Sequence, residues 1–304
     1  MISSIDVAAN PFAANNVRAL SRILLRVSCL RCFEYRIVIS KLRANVLDHT
    51  IAAPTIITTS LRKDTVMSEL VTYERQGRVA TIVMDDAKVN LMSLAMLEAL
   101  DESLNQAQWD QVVVVLSGRT DMFSAGFDLR VLRAGGTEAS RMVHQGFLLA
   151  ERLLSFPFPV VVACTGHALA MGAFLLLAGD YRIGAEGAFR IGVNEVAIGL
   201  TMPHFGVEIC RQRLSPAHFN RAVINAEIYA PEMALAAGFL DEVVPTKELT
   251  ATAQLAAARL TSLDMRAHAA TKSRARHHAL RAIRSAIESD ENPFATRRAT
   301  ALSA

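Results

Sequence analysis

Three short stretches hold the residues that could do chemistry. In FRIGVNEVAIGLTMP (residues 189–203) Glu195 is a lone acid in a mainly apolar run. In FSAGFDL (123–129) a glycine set between a small and a bulky residue permits an unusual backbone turn. After it the N–H of Phe127 can point into a cleft, and Asp128 can cap the next helix. In TGHALAMGA (165–173) the N–H of Met171 is expected to be an orphan donor in the first turn of a buried helix, where the backbone favours negative charge. Two such donors, from successive strand–turn–helix units that each carry a glycine at the turn, can converge into an oxyanion hole. A positive backbone site and a solitary carboxylate are the minimum equipment for taking a proton from carbon beside a carbonyl. His204, just after the base segment, is expected to be satisfied or exposed, and Glu208 to lie on a helix surface.

The elements that must position these residues follow from periodicity. Residues 70–86 (LVTYERQG, RVATIVMDD) alternate or run apolar around Gln76-Gly77, which predicts a β-hairpin. Residues 93–107 put Leu94, Leu97, Leu100 and Leu104 on one helical face, with Ser93 as N-cap. VVVVLSG (112–118) reads as a strand buried on both faces, and 124–132 as a tight turn leading into a helix that Gly135-Gly136 breaks. A second helix over 138–154 follows. PVVVACTG (159–166) reads as a buried strand, and 168–178, free of polar side chains up to Gly179-Asp180, as a helix buried on all faces. A short strand is expected at 189–193, helices at 216–224 and 231–238 with proline near each start, and a last strand at 240–245 (LDEVVP). Strands alternate with helices over 67–245, and only basic helices follow from Thr250 onward. The fold class is therefore α/β, with an all-helical C-terminal region.

Composition narrows the function classes. A chain of 304 residues with 52% hydrophobic and 6% aromatic content can bury a large aliphatic core. Residues 1–66 hold nine Lys/Arg against four Asp/Glu, so of the net charge of +3 the leader carries +5 and the remainder −2. The body thus offers no electrostatic case for nucleic acid. Cys29 and Cys32 form a C-x-x-C without a second Cys/His pair, so no metal site is expected there, and Cys164 and Cys210 read as buried free thiols. The longest apolar run, near 156–178, is interrupted by Pro157, Pro159, Gly166, His167 and Gly172, so no membrane span is expected. The basic leader is open to three readings: a short amphipathic helix around Arg18, Arg22 and Arg26, a mitochondrial transit peptide, or upstream sequence ahead of a working start at Met67. The last is favoured narrowly and places the protein in the cytoplasm; a transit peptide would place it in the mitochondrial matrix.

Taken in order, VVVVLSGRTDMFSAGFDL, FPFPVVVACTGHALAMGAFLLLAGDYRIGA, FRIGVNEVAIGLTMP and AEIYAPEMALAAGFLDEVVP resemble the crotonase superfamily of enoyl-CoA hydratases and isomerases, from about Leu70 to about Lys272. The resemblance implies a crotonase-like spiral of ββα units over 67–249 and a helical trimerisation region over 250–304. It implies a homotrimer or dimer of trimers, and an acyl-CoA thioester whose oxygen sits between the N–H groups of Phe127 and Met171. Many relatives have glycine at the second position; Met171 is acceptable there if its backbone angles are ordinary. Hydratases of the family use two glutamates. Here the helix position is Phe174, and only Glu195 remains, which resembles the Δ3,Δ2-enoyl-CoA isomerase branch. Glu195 is then expected to move a proton from C2 to C4 of a 3-enoyl-CoA in fatty acid β-oxidation, without a cofactor or metal, CoA being part of the substrate. Apolar neighbours (Val193, Val196, Ile198, Phe174) should raise its pKa, and Asn194 is placed to orient it. Ser124, Ala125 and Phe174 are expected to line the substrate, and Arg130 and Lys272 to meet the CoA phosphates. The alternatives are a hydratase or another crotonase reaction such as thioester hydrolysis, and a non-enzymatic acyl-CoA or RNA-binding protein on the same fold.

Overall fold

The computed structural model describes residues 64–301, with side chains over 68–290. The leader helix, the transit-peptide reading and the Cys29/Cys32 pair lie outside the described residues. In chain order the elements begin with β1 (Asp64–Met67), β2 (Val71–Gln76), β3 (Val79–Met84), β4 (Leu91–Met92) and α1 (Leu94–Asp110). Next come β5 (Val113–Ser117), β6 (Asp121–Ser124), β7 (Gly126–Phe127), α2 (Leu129–Ala134) and α3 (Gly136–Ser155). The central stretch holds β8 (Val160–Cys164), β9 (Gly166–Leu169), α4 (Met171–Ala178), β10 (Tyr181–Ala185) and β11 (Ile191–Gly192). A 3-10 turn (Val196–Ile198) leads to α5 (His204–Arg213), α6 (Pro216–Val223), α7 (Pro231–Ala237) and β12 (Glu242–Val244), and α8 (Leu249–Leu260), α9 (Met265–Ala275) and α10 (His277–Ala301) follow.

The hairpin predicted at 70–86 is β2 and β3, paired antiparallel, and β1 adds to the outer side of β2, so the sheet starts three residues ahead of Met67. β5, β8, β10 and β12 extend it in parallel, in the order β1-β2-β3-β5-β8-β10-β12. Parallel strands covered on both faces need apolar side chains at every position. Accordingly Val114, Leu116, Val160 and Val162 belong to one core, while Val113, Val115, Val161 and Ala163 belong to another on the opposite face. There the small residues Ala253, Ala256 and Ala257 of α8 let the helix lie close on the strands. α1 starts where expected, with the Ser93 hydroxyl accepting from Met96 N–H.

The boundary that bears on the site differs from expectation. The helix predicted from Ala168 begins at Met171, and the residues before it form β9, whose backbone groups pair with β6 on one side and β11 on the other. Periodicity cannot separate a short buried strand from the start of a buried helix. All eight residues of α4 are buried. In the C-terminal region, which the family resemblance implies is a trimerisation unit, α10 packs on α3 and α5 of its own chain and sends Leu280, Ile283 and Ile287 into the core.

Four cations close the C-terminal ends of three helices. Arg213 donates to the Leu177 carbonyl (3.2 Å) and to the Gly179 carbonyl at the end of α4. Lys272 and Arg276 reach the Leu153 and Leu154 carbonyls of α3, at 3.5 and 2.7 Å, and Arg182 reaches Gly238 past α7 at 2.5 Å. Asp180 takes both Lys272 (2.7 Å) and Arg276 (2.9 Å), and Asp241 takes Arg182 (2.6 Å). Two acids do not balance four cations, but each helix C-terminus adds roughly half a negative charge, which brings the cluster close to neutrality.

Candidate active site

A second sheet of three short strands, in the order β11-β9-β6, gathers the chemistry-bearing segments. All three strands are parallel, so their C-terminal ends lie along one edge. Each end is followed by one of the three stretches picked out from sequence. Gly126-Phe127 comes after β6, Met171 after β9, and Glu195 after β11.

The two turns that carry the candidate amides abut each other. Gly126 has φ 91°, and a Cβ placed on it would stand 2.8 Å from the Ala170 Cβ and 3.2 Å from the Met171 nitrogen. A Cβ on Gly172 would meet the Ser124 carbonyl oxygen at 2.5 Å. Both positions therefore require glycine, for close approach of one backbone to the other. The positive φ that the second turn demands falls on Ala170 (φ 50°, ψ −122°) and not on Met171. An L residue there costs roughly 1–3 kcal/mol. Two hydrogen bonds hold it in place: its N–H donates to Gly192 (3.1 Å) and its carbonyl accepts from Phe174 (3.1 Å). Because Ala170 bonds to Gly192, the base segment is tied to the residue just ahead of Met171.

Glu195 is 7% exposed, and its Oε2 is buried without a hydrogen-bond partner. Burial raises its pKa to about 7, only partly opposed by a hydrogen bond from its own backbone. The other buried acid, Asp128, caps α2 and pairs with Arg130, which holds its carboxyl below the usual range. Of the apolar neighbours expected around the carboxyl, Val193 and Phe174 are buried, whereas Val196 and Ile198 are 44% and 41% exposed on the 3-10 turn. α5 supplies the rest of the wall. Its Cys210 thiol is raised well above its ordinary value by burial and further by Glu195, so the two side chains are within electrostatic reach. The ring of Phe174 meets Phe205 edge-on at 5.6 Å, and Phe205 stacks on Phe147 at 4.3 Å. The arrangement offers a dry, proton-accepting carboxyl beside two glycine-bearing turns, and no second acid from the helix.

The family model for enoyl-CoA hydratase/isomerase matches residues 74–301. The chain belongs to the enoyl-CoA hydratase/isomerase family, the crotonases. Among solved structures it resembles a family protein from Pseudomonas syringae, with 47% identity and a TM-score of 0.73 over 75% of this chain and 99% of that one. A protein from Mycobacterium tuberculosis, described in one structure as an enoyl-CoA isomerase and in another as a probable enoyl-CoA hydratase, is 46% identical in the first, with a TM-score of 0.70 over 73% of this chain and 97% of that one. A carnitinyl-CoA dehydratase from Salmonella typhi is 29% identical over 209 residues, 68% of this chain and 80% of the relative. The protein is thus a crotonase-family acyl-CoA enzyme, with the spiral core and C-terminal helices of that fold.

This crotonase also uses residues that sequence reasoning passed over. Asn90, fully buried at φ 51°, donates from Nδ2 to the carbonyls of Met84 (3.0 Å), Phe123 (3.1 Å) and Met122 (3.3 Å). Its Oδ1 accepts from Asp86 N–H, and its own carbonyl accepts from the Ser124 hydroxyl at 2.7 Å. Ser124 in turn accepts from Gly126 N–H (3.1 Å), and Ala125 N–H donates to Val89 (3.0 Å). The Asp86 carboxylate receives the N–H groups of Lys88, Asn90 and Leu91, and despite partial burial these bonds keep its pKa low. The chain from Asp86 through Asn90 to Ser124 fixes the Phe127 turn. An asparagine set among Val89, Leu91 and Met92 was the available signal.

Other expected residues sit differently. The Ser124 hydroxyl, expected to line the substrate, is fully buried and spent inside the fold. Lys272, expected at the CoA phosphates, has a side chain only 6% exposed and bound to Asp180; burial lowers its pKa to about 8 against that pairing. It serves the helix-end cluster and is not presented to a phosphate. Arg130 is exposed and paired with Asp128 at 2.9 Å. Asn194 is half-buried, its Oδ1 without a partner. His204 is exposed and Glu208 half-buried, paired with Arg211. Among the described residues no group of three or more His, Cys, Asp or Glu is arranged to hold a metal ion, and no helix is long and apolar enough to cross a membrane.

Proposed function

We propose that the protein is an enoyl-CoA isomerase that shifts the double bond of a 3-enoyl-CoA to the 2-position through a thioester enolate. Glu195 takes the proton from C2, the negative charge that develops on the thioester oxygen is received by the N–H groups of Phe127 and Met171, and the protonated Glu195 returns the proton at C4. The double bond moves, no atom is gained or lost, and CoA enters as part of the substrate.

The observation that carries this reading is the single dry carboxyl. Adding water to a double bond needs a group to hold and activate that water, and the helix position facing Glu195 in two-acid relatives is Phe174, 1% exposed and packed against Phe205. Returning a proton to a neighbouring carbon needs only one base whose two protonation states are both accessible near neutrality. The relative from Mycobacterium tuberculosis is described in one structure as an enoyl-CoA isomerase and in another as a probable enoyl-CoA hydratase, so the reading rests on the carboxyl and Phe174 and not on that likeness.

Purified protein assayed with 3-enoyl-CoA and 2-enoyl-CoA side by side tests it. Glu195→Gln should keep acyl-CoA binding and lose roughly 10²–10⁴-fold in isomerisation; unchanged turnover would remove Glu195 from the reaction. Phe174→Glu should gain measurable hydration of 2-enoyl-CoA, and its absence would show that this position does not separate the two activities.

A further inference from the structure

The helix that walls off Glu195 has no cap of its own. Proline occupies the N-cap of α5, Pro203, and gives no side-chain hydrogen bond. The first two N–H groups of the helix, from His204 and Phe205, donate instead to Oδ1 and Oδ2 of Asp290, each at 2.9 Å. Asp290 lies 86 residues further on, in the C-terminal helix α10. A carboxylate that takes two amides at the positive end of a helix fixes both the position and the angle of that end.

α5 packs against α4 at Phe174, on the side from which Glu195 acts on Cys210. Gly206 and Cys210 are one turn apart on one face. A Cβ at Gly206 would stand 2.8 Å from the Phe174 ring, and Cys210 is within electrostatic reach of Glu195. Phe205 holds the adjacent face by stacking on Phe147. Beyond that aromatic layer lies a cavity of about 410 Å³, bounded by Phe147 and His144 of α3 and by Ile287 and Asp290 of α10. Water held there is separated from Phe174 by Phe147 and Phe205 as long as α5 stays seated.

We propose that Asp290 is a positioning residue for the reaction: by clipping the C-terminal helix onto the first turn of α5, it keeps the Phe205–Cys210 wall against the carboxyl of Glu195 and water away from it. Among the described residues, the charged and titratable groups facing Asp290 are His204 on α5 and Arg141 and His144 across the cavity on α3; Arg141 is held by Glu98. Among the described residues no charged group shifts Glu195, whose own charge instead raises the Cys210 thiol, and Phe174 of α4 is apolar. The inference rests on Glu195 being the base proposed above.

The test reads Glu195 without substrate. The full-length protein, labelled with ¹³C at the glutamate carboxyl carbons, is titrated by NMR, and the Glu195 resonance is assigned by its loss in Glu195→Gln. The wild type is expected to titrate near 7, and Asp290→Ala to move down towards the ordinary 4.5, with Asp290→Asn, which keeps one acceptor, in between. The acid limb of the kcat/KM profile should move to lower pH by the same shift, a change that mere loss of folded protein does not cause. If Asp290→Ala fails to fold by circular dichroism, Asp290→Asn decides alone. A folded variant, Ala or Asn, that keeps the wild-type midpoint overturns the proposal. Because the titration requires no turnover, a protein inactive towards 3-enoyl-CoA but showing the shift would fail the isomerase reading and leave the control of Glu195 by Asp290 standing.

Discussion

Glu195 is stressed by its surroundings, and that stress has a measurable cost. Its folded pKa of about 7 stands above the ordinary 4.5, so between those two values the folded state holds a proton that the unfolded chain has released. Stability contributed by the neutral carboxyl is fully present below about 4.5, declines as pH rises, and is lost above about 7. Glu195→Gln, which cannot ionise, should therefore match the wild type in acid and exceed it on the alkaline side by about 3 kcal/mol. Urea denaturation of both proteins at the two ends of that range checks it, and an equal gap at both ends would contradict it. With Glu195 as the proposed base, the same titration predicts turnover of 3-enoyl-CoA rising with pH through about 7. Glu195 and the two glycine-flanked turns were legible in the sequence because an acid in an apolar run and a glycine ahead of a helix are local signals. Lys272 was not. Its type and charge suit a phosphate, and only the fold brings Asp180, 92 residues away, against it.

Between the elements, the Phe127 turn is not rigid by itself. It is held by a loop from 85 to 92 whose hub is Asn90, and an Asn tolerates its left-handed backbone. Asn90→Ala leaves the carbonyls of Met84 and Phe123 buried without their donor, which should cost about 3 kcal/mol. The surviving folded enzyme should lose about 10–100-fold in kcat with a smaller change in KM, since the Phe127 N–H proposed to meet the thioester oxygen is displaced while the rest of the binding surface stays. Equal loss in both parameters would mean that Asn90 only supports folding. β9 shows why this tier was harder to anticipate. A run such as GHALAMGAFLLLA has one apolar signature whether its first residues pair with neighbouring strands or open a helix, and partners from β6 and β11 decide it.

Across the whole molecule, α4 is the shared part. Its first turn adjoins the Phe127 turn, and its last carbonyls are held by Arg213 within a cluster drawn from α3, β10, α5 and α9. Among the described residues Asp180 alone is bonded to both Lys272 and Arg276, so Asp180→Asn should cost about 3–5 kcal/mol. Lys272→Met, which leaves Asp180 its bond to Arg276, should cost less, and the order of the two urea midpoints tests the account. The alternation of strands and helices and the all-helical tail were readable from pattern alone, whereas this cluster was not, because its members come from segments about a hundred residues apart.

The parallel edge of β6, β9 and β11 gives the enzyme interchangeable tooling. Since each reactive group rides immediately behind its own strand, and the strands hold one another in register, a single exchange behind one of them can retool the chemistry without redrawing the other two. A catalyst arranged this way can drift from one reaction to another by small steps, each of which leaves a folded ancestor able to grip the same thioester.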